Sequence, residues 1–220
     1  MKARGMALLE TLWMSFFLMT ALAASVVVGL RLDAASSLKD TARRALYFSS
    51  TKPFVMQAAL GMAPTLTVDA ARVNEYLNSM LERAESEVKS SYLSRHYVQA
   101  IAVTAPIDPV SGAWSGTFGQ TFGPMIRSAS GYTPQTLAES DLMRTFSAYA
   151  QMSQAGSGAS LLAEPLAIKG HANYRDRALL VGIRLIASLD PIVPVTSWVG
   201  SSDKGEVSAS NVIVLRGDVS

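Results

Sequence analysis

The chain has 220 residues, no cysteine and a hydrophobic content of 49%, with a mean hydropathy of +0.23 raised by one apolar stretch at its start. Formal charge is +2, and without Lys2 and Arg4 the remaining 17 basic and 17 acidic side chains balance. A neutral chain with no basic patch interleaved with aromatics has no electrostatic case for nucleic acid, and the lack of cysteine excludes disulfide staples and thiol chemistry.

Met1 to Gly5 is a short basic leader carrying Lys2 and Arg4, followed by Met6-Ala7-Leu8-Leu9-Glu10. Thr11 to Leu30 then holds no charge at all. As a helix that run is about 30 Å long, enough to cross the hydrocarbon core of a bilayer. The basic leader keeps the N-terminus cytoplasmic and places Arg31 onward outside. Glu10 does not fit a plain anchor, because a carboxylate at the edge of an apolar span is costly without a partner. A cut after Gly5 supplies one: the new α-ammonium of Met6 pairs with Glu10 of its own chain or of a neighbour, and low dielectric strengthens the pair. Such a pair sets register more than it adds stability.

A leader ending in Gly5, an apolar Met6, Glu10 as fifth residue of the mature chain and a long apolar helix resemble a type IV prepilin (class III) signal. Met6 to Leu12 is similar to the start of type IV pilins and type II secretion pseudopilins, and of TadE-like minor pilins of tight-adherence systems. The resemblance covers about the first fifty residues. It implies cleavage by a prepilin peptidase, methylation of the new N-terminus, and assembly with other pilin subunits by inner-membrane machinery, the helix resting in membrane lipid beforehand. Two positions depart from the pattern: Met6 stands where Phe is usual, and Thr11 where Tyr often follows the glutamate in tight-adherence major pilins.

Two other readings of the same stretch stay open. Ala21-Leu22-Ala23 is a small-x-small site at which ordinary signal peptidase could cut before Ala24, or the span is an uncleaved anchor. Against the first, Glu10 would fall within the signal's apolar region, and that region runs on through Val26 to Leu30.

Beyond Arg31 the helical pattern continues, with Leu32, Ala35, Leu38, Ala42, Ala45 and Leu46 near one face and Asp33, Lys39, Asp40, Arg43 and Arg44 on the rest. Ser49 to Pro53 ends it. The expected division is therefore a leader (1–5), an N-terminal helix (6–48, membrane span 11–30 and amphipathic extension 31–48) and an exported head (49–220). Within the head, Phe54 to Met62 reads as a short helix or turn. A second helix starts near Asp69 as N-cap, with Val73, Tyr76, Leu77, Met80, Leu81, Ala84 and Val88 as its apolar stripe. Its charged face, including the Glu85–Lys89 pair, reads as solvated. His96 to Ala105 is a strand. Thr117 to Phe122 is either an edge strand of a hairpin or part of a loop.

Thr133-Pro134 reads as a helix start, with Leu137, Leu142, Phe146 and Tyr149 on the apolar face and Gly156-Ser157-Gly158 as the stop. This inserted helix departs from the simplest pilin head. Leu166 to Tyr174 is placed to pair with the strand from Ala178. That strand, to Leu189, has the best alternation in the chain: Leu179, Val181, Ile183, Leu185, Ala187 and Leu189 on one face, Arg184 and Ser188 on the other. Val207 to Leu215 is the final strand. The fold class expected is α+β: a long N-terminal helix, two further helices and a small antiparallel sheet.

Catalytic patterning is thin. His96 and His171 stand in no metal-ligand spacing. Ser36-x-x-Lys39 has serine–lysine spacing but lacks the partner motifs of that chemistry. Asp108 and Asp190 each precede proline as turn formers, and Gly112, Gly116, Gly119 and Gly123 do not lead a strand into a helix as a phosphate cradle does. The expectation is a non-enzymatic subunit with no cofactor, no metal and no nucleic-acid partner. Gly5 and Met6 are its processing residues and Glu10 its assembly residue. An anchored binding domain is the alternative.

Overall fold

The computed structural model describes residues 2–50, 57–59, 65–67, 70–91, 93, 95–106, 114–134, 139–155, 166–168, 171–174, 177–189 and 205–215. The first helix, α1 (Lys2–Ser50), is followed by a short hairpin of β1 (Gln57–Ala59) and β2 (Thr65–Thr67), then α2 (Ala70–Lys89), β3 (Arg95–Pro106), β4 (Thr121–Ser128), α3 (Glu139–Ala155), a second hairpin of β5 (Leu166–Ile168) and β6 (His171–Tyr174), β7 (Arg177–Ser188) and β8 (Glu206–Leu215). The architecture is α+β. The main sheet is antiparallel throughout, in the order β4-β3-β7-β8.

Helices cover both faces of this sheet. The alternation along β7 sends Leu179, Val181, Ile183, Leu185 and Ala187 into one core with Leu38 and Leu46 of α1 and the stripe of α2. All seven residues of that stripe, Val73 through Val88, are buried, because each falls on the 3.6-residue repeat that faces the sheet. The opposite face of β7, which carries Arg184 and Ser188, is covered as well: Leu180 packs with Leu142, Phe146 and Ala150 of α3, and Arg184 and Ser188 are themselves buried. Residues 96 to 105 of β3 are buried without interruption for the same reason: a strand covered on both faces has no solvent side. Phe146 lies directly over Gly182, where a Cβ would come within 2.7 Å of its ring.

Several expectations are corrected. Part of the Phe54–Met62 stretch, Gln57 to Ala59, is a strand paired with Thr65–Thr67, not a helix. The two readings left open for Thr117–Phe122 each hold in part: residues 117–120 are a loop, and the edge strand of the hairpin with β3 runs over Thr121–Ser128. Thr133-Pro134 is not helical, and α3 is described from Glu139. Tyr132 before it has φ −61° and ψ 121°, and its hydroxyl donates to Glu206 Oε1 at 2.6 Å. Leu166–Ile168 pairs with His171–Tyr174 and not with β7. Leu137, Gly156 to Gly158, Asp108, Gly112 and Asp190 lie outside the described residues.

The charged face of α2 is not merely solvated. Arg127 of β4 reaches Glu82 at 2.8 Å and Glu85 at 3.3 Å, while Lys89 meets Glu85 at 2.8 Å. Together these ion pairs tie the edge strand to the helix. Hydrogen bonding from Lys89, aided by Arg127, holds the Glu85 carboxyl below its ordinary pKa against the burial that raises it.

Candidate assembly site on the N-terminal helix

The two ends of α1 have different surroundings. In its outer part Ala34, Leu38, Thr41, Ala42, Ala45 and Leu46 are buried in the head, spaced three and four apart. Leu32 and Ala35 were expected on this face. Leu32 is 67% exposed and Ala35 only half-buried, because the face that meets the head runs through Ala34. The charged residues Asp33, Lys39, Asp40, Arg43 and Arg44 are exposed as expected. Arg44 pairs with Glu87 of α2 at 3.5 Å, and the Arg43 guanidinium lies 5.5 Å from the centre of the Tyr47 ring.

Toward the N-terminus the head falls away. Every described side chain from Leu9 to Leu22 is exposed, on all sides of the helix. Leu12, Trp13, Met14, Phe16, Phe17, Leu18 and Met19 are each more than 60% exposed. The helix is long and apolar enough to cross a membrane, and none of its apolar window is buried against the rest of the chain. Residues 9 to 22, exposed throughout, are about 21 Å long at 1.5 Å per residue. Such a surface is satisfied only by lipid or by other helices.

Gly5 and Met6 lie inside α1, which runs without a break from Lys2. Nothing in Lys2-Ala3-Arg4 opposes helix, and the one weak residue, Gly5, costs only about 1 kcal/mol in a helix that is long on both sides of it. Glu10 is exposed four residues beyond Met6, and among the described residues no cation lies within ion-pair distance of it. Together with Thr11, Met14, Ser15 and Leu18 it lines a shallow groove. Glu10, Met14 and Leu18 form one row of four-residue steps, and Thr11 and Ser15 the adjacent row.

The polar groups of the span are otherwise turned inward on their own backbone. Thr20 Oγ1 donates to the Phe16 carbonyl at 2.7 Å and Ser25 Oγ to the Ala21 carbonyl at 2.8 Å, the usual way a hydroxyl is tolerated in an apolar helix. Thr11 is likewise engaged. Ser15 makes no hydrogen bond among the described residues. The sequence singled out Glu10 because it is the lone charge beside an uncharged run. The groove around it is signalled only by the four-residue spacing of Thr11 and Ser15.

The other candidates do not converge on a site. His96 is buried on β3 with Nδ1 3.1 Å from the Leu93 carbonyl, which makes it a hydrogen-bonding core residue. His171 lies on β6, away from the main sheet's pairing. Ser36 and Lys39 are exposed on α1. Gly116 and Gly123 adopt positive φ of 87° and 92° in and after the loop entering β4, where a Cβ at Gly123 would meet the Met125 amide at 2.9 Å. Both lie at the sheet edge, Gly116 in the loop and Gly123 in β4. Among the described residues no group of three or more His, Cys, Asp or Glu side chains gathers as a metal site. The chain matches no protein-family model, no curated protein and no solved structure.

Proposed function

We propose that this protein is a minor pilin or pseudopilin: a structural subunit of a type IV-like pilus or secretion pseudopilus, processed after Gly5 and assembled through α1. One observation carries the reading: a charge-free helix, exposed on every side as far as Leu22 and headed by an exposed Glu10, is continuous with a segment locked into a folded head. An anchor needs the apolar surface but has no use for the carboxylate. A subunit that moves from lipid into a bundle of like helices uses both, since the bare surface is satisfied in either place and Glu10 fixes the position of the neighbour. The head, roughly 170 residues and richer than a bare helix with a few strands, fits a minor or tip-proximal role. In this reading the N-terminus is cytoplasmic, the head is exported, and the partners are other subunits, a prepilin peptidase and inner-membrane assembly machinery.

Two variants test it in cells. Gly5→Val blocks cleavage and leaves the precursor in the membrane. Glu10→Val leaves cleavage intact and lowers the amount of subunit in sheared filaments by tenfold or more, since stranding one partner of a buried pair costs about 3–5 kcal/mol and about 1.4 kcal/mol already corresponds to tenfold. Normal assembly of Glu10→Val sinks the pairing argument, and unchanged processing of Gly5→Val sinks the prepilin reading.

A further inference from the structure

We propose that the end of the main sheet nearest the span rests on the lipid surface, and that Trp114 and Phe118, in the loop before β4, enter the headgroup interface of the outer leaflet. The inference rests on the membrane-inserted, head-exported state of the reading above and holds whether or not the chain polymerises. Arg44 of α1 meets Glu87, near the end of α2, at 3.5 Å. Just beyond α2 the Leu93 carbonyl lies 3.1 Å from Nδ1 of His96 at the start of β3, and Arg127, paired across from Val98, reaches Glu82 and Glu85 of the same helix. The start of β3 is therefore level with Arg44. Ala34 and Leu38 of α1 share one core with Ala102 and Leu179, toward the far end of the sheet, so helix and sheet run side by side. From His96 to Pro106 β3 covers about 33 Å, and from Arg44 back to Val27 α1 covers about 26 Å. Even with the two inclined to one another, the far end of β3 comes down to the level of Val27 to Leu30. Burial along α1 marks the same level: Val27, Leu30 and Arg31 are half-buried in line with Ala34, whereas Val26, Val28 and Leu32 are exposed. The head thus reaches the last turn of the charge-free run, and a bilayer spanned by that run meets the rim of the head.

The loop at that rim has the chemistry of an interface. It is pinned to the end of β3, where the Ser115 amide donates to the Pro106 carbonyl at 3.1 Å and the Gly119 amide to the Thr104 carbonyl at 2.8 Å. Trp114 and Phe118 are half-buried with ring centres 4.9 Å apart, and Phe118 meets Phe146 of α3 edge-on at 6.2 Å. Ser115, Gly116 and Thr117 between them are exposed. No charge occurs from Trp114 to Ile126, so the loop has no ion to desolvate. The indole N–H already donates to the Thr117 carbonyl at 2.9 Å, and the ring can enter lipid without leaving a bare donor. Tryptophan settles at this depth because its body is apolar and its edge polar. The tether favours lipid over a protein partner, since the span holds this rim at one depth in every copy, alone or assembled.

The chain has no cysteine, so single cysteines can carry a nitroxide at chosen points. The full chain is placed one copy per nanodisc of phosphatidylethanolamine and phosphatidylglycerol, which leaves no neighbour to shield the loop. Ser115→Cys puts the label at the loop tip, Phe17→Cys puts it in the span, and Arg95→Cys puts it at the exposed opposite end of β3. The readout is the ratio of collisions with oxygen, which partitions into lipid, to collisions with a water-soluble nickel chelate. The ratio for Ser115→Cys stands severalfold above that for Arg95→Cys and below that for Phe17→Cys. Adding Thr117→Asp to Ser115→Cys brings it down to the Arg95→Cys value. A second measurement needs no label: with Trp13→Phe and Trp198→Phe, Trp114 is the sole tryptophan, and lipid brominated near the headgroups lowers its emission severalfold. With Phe17→Cys reporting lipid, a Ser115→Cys ratio equal to that of Arg95→Cys, an unchanged ratio on adding Thr117→Asp, or an unquenched Trp114 overturns the docking and leaves the membrane-inserted reading in place. Phe17→Cys reporting water overturns both.

Discussion

The inner and outer parts of α1 are one continuous helix with opposite fates. From Ala34 to Leu46 apolar residues recur on a single face, charges occupy the rest, and that face is buried in the head. From Leu9 to Leu22 large apolar side chains point in every direction and no described residue covers them. What separates the two is the distribution of apolar residues around the axis. A one-sided stripe can be satisfied by a sheet and a second helix. An all-round apolar surface needs an apolar environment on all sides, which a folded head resting on one flank does not provide.

The largest effect expected on this contrast comes from truncating the same residue type in the two parts. Leu46→Ala, at a fully buried position, costs the head about 2–5 kcal/mol. Leu18→Ala, 70% exposed, leaves head stability within about 0.5 kcal/mol of wild type. Denaturant unfolding of the detergent-solubilised chain measures both, and a comparable loss from the two would erase the distinction. The next effect tests whether the head's second core is as closely packed as its first. Gly182→Ala pushes a methyl group into the Phe146 ring and costs about 1–3 kcal/mol. Adding Phe146→Leu to Gly182→Ala recovers part of that loss, and failure of the second change to help would show that the clash is not the cause.

The smallest effect concerns the surface tie between β4 and α2. The Glu85 carboxyl is held below its ordinary pKa by Lys89 and Arg127, so the stability it contributes is present above the ordinary glutamate range and is lost as pH falls through the lowered value. Arg127→Ala removes part of this contribution at neutral pH and flattens the acid limb of the stability profile. The change is below about 1 kcal/mol, because Arg127 and Glu82 are open to solvent and screening. An unaltered acid limb in Arg127→Ala would show that Lys89 alone sets the shift.

The features legible in the sequence were those written in a repeating period. The stripe of α2 and the alternation of β7 needed no partner to be recognised, and neither did the charge-free run after Glu10. What escaped depends on contacts between distant residues. The Tyr132 hydroxyl meets Glu206, 74 positions away. Arg127 meets Glu82 and Glu85 more than 40 residues before it. The three-residue strands β1 and β5 are too short to show any period. The burial of Arg184 and Ser188 on the second face of β7 follows from a sheet covered by helices on both faces, which one strand's pattern does not reveal. At the candidate site, Glu10 stood out as a charge out of place.

The most direct test of assembly through the bare part of α1 is the mass of the mature N-terminus, determined on protein from membranes and from sheared filaments. The account predicts a chain beginning at Met6 in both, with a methylated amine. A chain beginning at Ala24, or one retaining Met1, would contradict it.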